Sequence, residues 1–137
     1  IDYGKILTSN DLPLHNRLKI IYHSLENLIS KFKPDHLAVE ELFFNKNTRT
    51  ALSVGHARGV ILLAGANCNM KIAEYTPLQV KQAVVGYGRA DKRQVQEMVR
   101  IILNLEQIPR PDDVADALGI TICHAHSYKV NKLFKED

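Results

Sequence analysis

The chain has 137 residues, 45% of them hydrophobic and 24% charged, with a net charge of +3. That balance excludes a disordered chain, and no apolar run nears the roughly 18 residues that a membrane span requires. A chain of this length buries about two thirds of its unfolded surface, so it needs no disulfide or metal staple. Cys68 and Cys123 are far apart and read as free thiols of a reducing compartment.

Ile1 to Thr8 alternates in polarity and predicts a strand. Ser9 to Asp11 then offer caps for a helix with Pro13 in its first turn. Leu14, Leu18, Ile21, Leu25, Leu28 and Phe32 follow at spacings of three and four, which predicts one apolar stripe ending at Pro34. His36 to Phe43 is a short apolar run and predicts a buried strand. A second helix is expected over Thr48 to Asn67, where Gly55 and Gly59 would let another backbone approach, in the core or at a subunit contact. Lys71 to Tyr75 predicts a third strand. Thr76-Pro77 opens a short helix through Val84, broken by Gly86-Tyr87-Gly88. Asp91 can cap the helix that carries Val95, Met98, Val99, Ile102 and Leu103. After Pro109-Arg110-Pro111 the last helix is expected from Asp112 to about His126, and 129–137 reads as a polar, frayed tail. Strands alternating with helices imply a parallel arrangement with helices on both faces, a single α/β domain over 1–128.

Acids fall where apolar residues dominate. Glu40 and Glu41 lie within LAVEELFF, and alternation along a strand sends one of them to each face. A buried carboxylate costs several kcal/mol unless it is paired, and at the end of a central parallel strand a ligand or metal is the usual compensation. A surface glutamate beside one paired with lysine is the plainer alternative. Asp113 and Asp116 are three apart on one predicted helix face, where like charges repel unless a cation intervenes. Asp112 reads as a cap, whereas Asp116 lies beside an apolar face. Capping and ligation both remain open for this cluster. Carboxylate oxygens select Mg²⁺ or Mn²⁺ over zinc, and two such ions can promote phosphodiester cleavage. A zinc site from His124, His126 and Cys123 fits poorly, because residues two apart on a helix face different ways. Basic residues cluster as Lys46, Arg49 and Arg58 with no acid between, and as Arg89, Lys92 and Arg93 against Asp91.

LAVEELFFNKN, GHARGV, YTPLQVKQAVVGYGRADKRQVQEMV and DDVADALGITICHAH, in that order, resemble successive blocks of the RuvC family of Holliday-junction resolvases. The resemblance runs from SNDLPLHNRL to His126. It implies a ribonuclease H-like three-layer fold, a mixed sheet with helices on both faces. It also implies a homodimeric, bacterial cytoplasmic endonuclease that cuts four-way DNA junctions symmetrically with two Mg²⁺ or Mn²⁺ ions, alongside a branch-migration complex. Glu40, Asp113 and Asp116 match the family's catalytic, metal-holding acids. Phe43 matches an aromatic used against junction bases, and Lys81 and Lys92 match basic residues that support DNA binding and cleavage. Lys46, Arg49, Arg89 and Arg93 are further candidates for phosphate contacts. The family opens with a glycine-isoleucine-aspartate-proline-glycine-like strand whose aspartate is a fourth ligand. Here Asp2 leads straight into ILTSNDLP, which matches the third strand, so Asp2 is not expected to be that ligand and the first two strands are expected to be absent from the chain. A junction-binding module without cleavage, and a ribonuclease H-like enzyme of RNA processing, are the rival expectations.

Overall fold

Two β-strands, β1 (His36–Glu40) and β2 (Lys71–Tyr75), form the sheet seen in the computed structural model, which describes residues 1–41 and 48–133, with backbone alone at Thr48, Arg49 and Leu133. Lys71 N donates to Asp35 O at 3.0 Å and Glu41 N donates to Tyr75 O at 2.8 Å. The strands therefore start together and end together, which makes the pair parallel. Five helices complete the described chain: α1 (Leu14–Phe32), α2 (Thr48–Asn67), α3 (Pro77–Val85), α4 (Lys92–Ile102) and α5 (Asp112–Leu133). The chain falls into two compact units, one of Ile1–Gly4, Ala38–Glu41 and Ala73–Asp137, the other of Lys5–Leu37 and Leu42–Ile72.

In the second unit α1 packs on α2. The left-handed Lys33 closes α1, its N–H donating to Ile29 O at 2.8 Å, and Pro34 prevents continuation. The N-terminal cap differs from the expectation. Pro13 occupies that position with no side-chain hydrogen bond, while Ser9 Oγ accepts from Asp11 N at 3.2 Å in the turn before it. Within this unit the close approach falls at Gly65 rather than at Gly55 or Gly59, which leaves a subunit contact as the reading still open for those two. A Cβ at Gly65 would lie 2.6 Å from Leu37 Cδ2, whereas among the described residues one at Gly55 or Gly59 would meet nothing within 4 Å. No residue of α1 is buried.

In the first unit α3, α4 and α5 pack together around Val80, Val84, Ala90, Val95, Val99, Val114, Leu118, Ile122 and Cys123. Two capping boxes set the start of α3 and α4. Thr76 Oγ1 accepts from Gln79 N at 3.1 Å while Gln79 Oε1 accepts from Thr76 N at 2.8 Å, and Asp91 and Gln94 exchange the same bonds at 2.8 and 2.9 Å. Each satisfies two backbone donors that a helix start leaves over.

Three expectations need correction. Ile1 to Thr8 is irregular rather than a strand. A strand exists only through ladder bonds to a neighbour, and the described residues provide none for it. The run from His36 is a strand only to Glu40, with Val39 its one buried residue, and its expected extension through Phe43 lies outside the described residues. Finally, α5 runs to Leu133, well past His126, so 129–133 is helix rather than frayed tail. Continuing the ladder leaves fewer carbonyls unpaired than stopping in a stretch with no Gly or Pro.

Candidate active site

The first unit brings the strand-end glutamate, the aspartates of α5 and a lysine of α4 into one electrostatic cluster. Val39 points into the protein, so pleating turns Glu40, the last residue of β1, to the other face. Burial around its carboxyl raises the Glu40 pKa above the ordinary 4.5, and the negative charge of Asp116 adds to the rise, while Lys92 pulls it back. Much of the Glu40 side chain is nevertheless exposed, so the cluster lies at the surface rather than in a dry interior.

Asp116 is half-buried one turn into α5, next to Ala115 and Leu118 of the core face. Burial raises its carboxyl pKa as well; Lys92 opposes this, and Asp113 and Asp112 add to it. Asp112, by contrast, sits below the ordinary carboxylate value, chiefly through its hydrogen bond from Lys92. Lys92 Nζ is 3.3 Å from Asp112 Oδ2 and 3.7 Å from Asp116 Oδ2, at the first turn of α4. Its own pKa is raised, first by Asp112 and then by Asp116. Arg110 also pairs with Asp112. Asp112 is thus not simply a cap: it anchors Lys92, and the acidic first turn of α5 gains from the helix dipole as well.

A carboxyl on β1 whose pKa is raised by burial and by the charge of an aspartate on α5 is the electrostatic setting a cation relieves, and an oxygen-only donor set suits a hard divalent ion. The chemistry of Glu40, Asp116 and the neighbouring Asp113 therefore fits Mg²⁺ or Mn²⁺. Among the described residues no three His, Cys, Asp or Glu side chains are gathered closely enough to hold an ion, and the Lys92 ammonium supplies the positive charge beside Asp112 and Asp116. His124 is engaged elsewhere: its Nδ1 and the Tyr75 hydroxyl share a hydrogen bond at 2.8 Å.

Residues 1–124 match the family model described as Crossover junction endodeoxyribonuclease RuvC. The chain belongs to the RuvC family. It is 63% identical over 132 residues to the crossover junction endodeoxyribonuclease RuvC of Halothermothrix orenii, covering 96% of this chain and 80% of that protein. With the enzyme of the same name from Alkaliphilus metalliredigens it shares 62% over 135 residues, 98% of this chain and 82% of the relative. Among solved structures it resembles Thermus thermophilus RuvC at 39% identity and a TM-score of 0.83, over 90% of this chain and 75% of that one. It also resembles T. thermophilus RuvC in complex with Holliday junction substrate, at 38% identity and a TM-score of 0.87, over 92% and 76%. The fold is accordingly the ribonuclease H-like α/β fold of that family, of which the described residues contribute five helices and two parallel strands.

Of the residues predicted from sequence, Glu40, Asp113, Asp116 and Lys92 come together in this cluster, Asp113 through its charge on Asp116 and Lys92. Arg89 and Arg93 are exposed on the loop before α4 and on its first turn, and Lys81 is half-buried on α3. Phe43 and Lys46 lie outside the described residues, as does the side chain of Arg49. Sequence reasoning missed Asp112 as a lysine anchor. The available signal was the offset of twenty residues to Lys92, which only packing of α4 on α5 makes a contact.

Proposed function

We propose that this chain resolves four-way DNA junctions by paired, symmetric, metal-dependent phosphodiester hydrolysis in recombination and repair. The observation that carries the reading is the approach of Glu40 on β1 to Asp116 on α5 beside the Lys92 ammonium, in a member of this family. Glu40, Asp113 and Asp116 would hold two Mg²⁺ or Mn²⁺ ions. When bound, such cations polarise the scissile phosphate and make water a better nucleophile. The carboxylates orient the cations by their spacing, and their raised proton affinity keeps the site sensitive to pH.

Lys92 is largely exposed at the rim of the cluster, placed to donate to a phosphate oxygen once the aspartates turn to the metal. Lys81, Arg89 and Arg93, with Lys46 and Arg49, would neutralise backbone phosphates, a salt-dependent contribution. Phe43 would stack on a junction base, a contact worth roughly 1–3 kcal/mol. A homodimer would supply one such centre for each of two strands, with the α2 surface around Gly55 and Gly59 as the proposed contact, and a branch-migration complex in the bacterial cytoplasm would deliver the junction. No described helix is long and apolar enough to cross a membrane.

The test is incubation with an end-labelled four-way junction and Mg²⁺. Paired nicks at symmetric positions are expected, with a linear duplex of the same sequence left intact. Glu40→Gln should abolish cutting while junction binding persists. Cutting by Glu40→Gln at the wild-type rate would remove Glu40 from the reading, and indifference to junction structure would remove the junction.

A further inference from the structure

Tyr75 closes β2, and its two ends hold different parts of the site. Its main-chain oxygen accepts from Glu41 N at 2.8 Å, which pins the end of β1 immediately beside Glu40. Its hydroxyl shares a 2.8 Å hydrogen bond with Nδ1 of His124 on α5, the rings lying 5.8 Å apart. His124 is two helical turns beyond Asp116 on the same rod, about 80° further round its axis. Tyr128, one turn further, packs its ring 6.3 Å from that of His124. Next to His124, Cys123 Sγ donates to Gln79 O at 3.7 Å and ties α5 to α3 as well. Both tyrosine contacts are within the first unit, and none of these side chains belongs to the acidic cluster.

We infer that the Tyr75–His124 hydrogen bond is a positioning link for the metal site, setting the distance of Glu40 on β1 from Asp116 on α5. Glu40 and Asp116 stand on separate elements, 76 positions apart in the chain, so nothing local fixes the separation of their carboxyls. The apolar core of α5 faces α3 and α4, and Tyr75, itself packed against that core, adds through its hydroxyl a directional bond from α5 to the strand pair that carries Glu40. A helix free to slide or turn against β2 would carry Asp113 and Asp116 with it, since an α-helix moves as a rigid rod over two turns. Tyr75 and His124 touch neither metal nor substrate in this scheme; they act through Glu40 and Asp116. The inference rests on the nuclease reading only for its consequence in cleavage, not for its geometry.

The experiment measures Mn²⁺ binding to the full chain by calorimetry or by loss of the free-ion paramagnetic resonance signal, together with the Mn²⁺ dependence of junction cutting. Tyr75→Phe keeps the ring and removes the hydroxyl alone, and His124→Leu removes the other partner. Each is expected to weaken Mn²⁺ binding by about two- to tenfold, the range that one neutral hydrogen bond commands. Each should also raise the Mn²⁺ needed for half-maximal cutting by the same factor. Cutting at saturating Mn²⁺ and junction affinity without metal should stay at wild-type values. The double variant should be no worse than either single one, because both remove the same bond. His124→Asn, whose side-chain amide can stand in for Nδ1, should restore wild-type affinity, which a merely bulky or structural role would not. Unchanged Mn²⁺ affinity in both single variants overturns the inference, and so does equal loss in His124→Asn and His124→Leu. Wild-type chain that shows this pattern of Mn²⁺ binding but leaves junctions uncut overturns the nuclease reading instead.

Discussion

Replacing Lys92 by methionine keeps the aliphatic stem and deletes the charge that Asp112 and Asp116 share. At 3.7 Å, a unit pair in a medium of dielectric about 20 would be worth roughly 4 kcal/mol. Lys92 keeps 57% of its side chain in water and Asp116 43%, so the value found for exposed pairs, below about 1 kcal/mol, is the one that governs the Asp116 contact. The sign depends on pH. Lys92 lowers the Asp112 carboxyl from the ordinary 3.8, so this stability is present above that value and is lost as pH falls through the lowered one. The lysine, raised above 10.5, contributes fully below that value and loses its contribution as pH rises past its own raised pKa. Lys92→Met should therefore melt below the wild type between about pH 5 and 9, by up to roughly 4 °C for the Asp116 pair in a chain of this size. The gap should close towards pH 3 and shrink in 1 M salt. Thermal unfolding followed by circular dichroism at pH 3, 7 and 9, without divalent metal, measures it. An equal gap at pH 3 and pH 7, or none at pH 7 in low salt, would refute the pairing.

Asp116→Asn should act in the opposite direction. Burial and its acidic neighbours raise the Asp116 pKa despite Lys92, so its charge costs stability above that pKa and the cost is relieved as pH falls through it. The variant should unfold at a higher temperature than the wild type at pH 8 without metal, converge with it near pH 3, and cut no junction; a lower melting point at pH 8 would count against the assignment. Val99 is 0% exposed at the centre of the α3–α4–α5 core, so Val99→Ala removes two buried methyl groups and leaves a cavity. A loss of about 2–3 kcal/mol is expected in urea unfolding, and a loss below about 0.5 would place Val99 outside the load of the core.

Several elements were legible because the interactions that make them are local. Thr76 with Gln79 and Asp91 with Gln94 close their capping boxes three residues apart, so the starts of α3 and α4 follow from the text itself. Val114, Leu118 and Ile122, four apart, form the buried face of α5, beside which the sequence had already placed Asp116. Strands were less secure. Ile1 to Thr8 has the alternation of a strand but lacks a described neighbour to bond with, and alternation alone forms no ladder. For a close approach inside the unit the small-residue argument offered Gly55 and Gly59, while that approach occurs at Gly65, where Leu37 comes in from β1. Periodicity says which face a glycine is on, not what stands opposite it.

By itself the sequence determined residue types, the starts of α2 to α5 and the family, with an oxygen-rich donor set placed at a strand end and a helix start. Tertiary structure alone decided which charges meet. It brought Lys92 within 4 Å of Asp112 and Asp116, put Glu40 within reach of Asp116, and joined Tyr75 to His124. The physical reason is range. Caps and amphipathic stripes act over three or four residues and are written along the chain, whereas charge pairs and strand-to-helix links depend on packing across tens of residues.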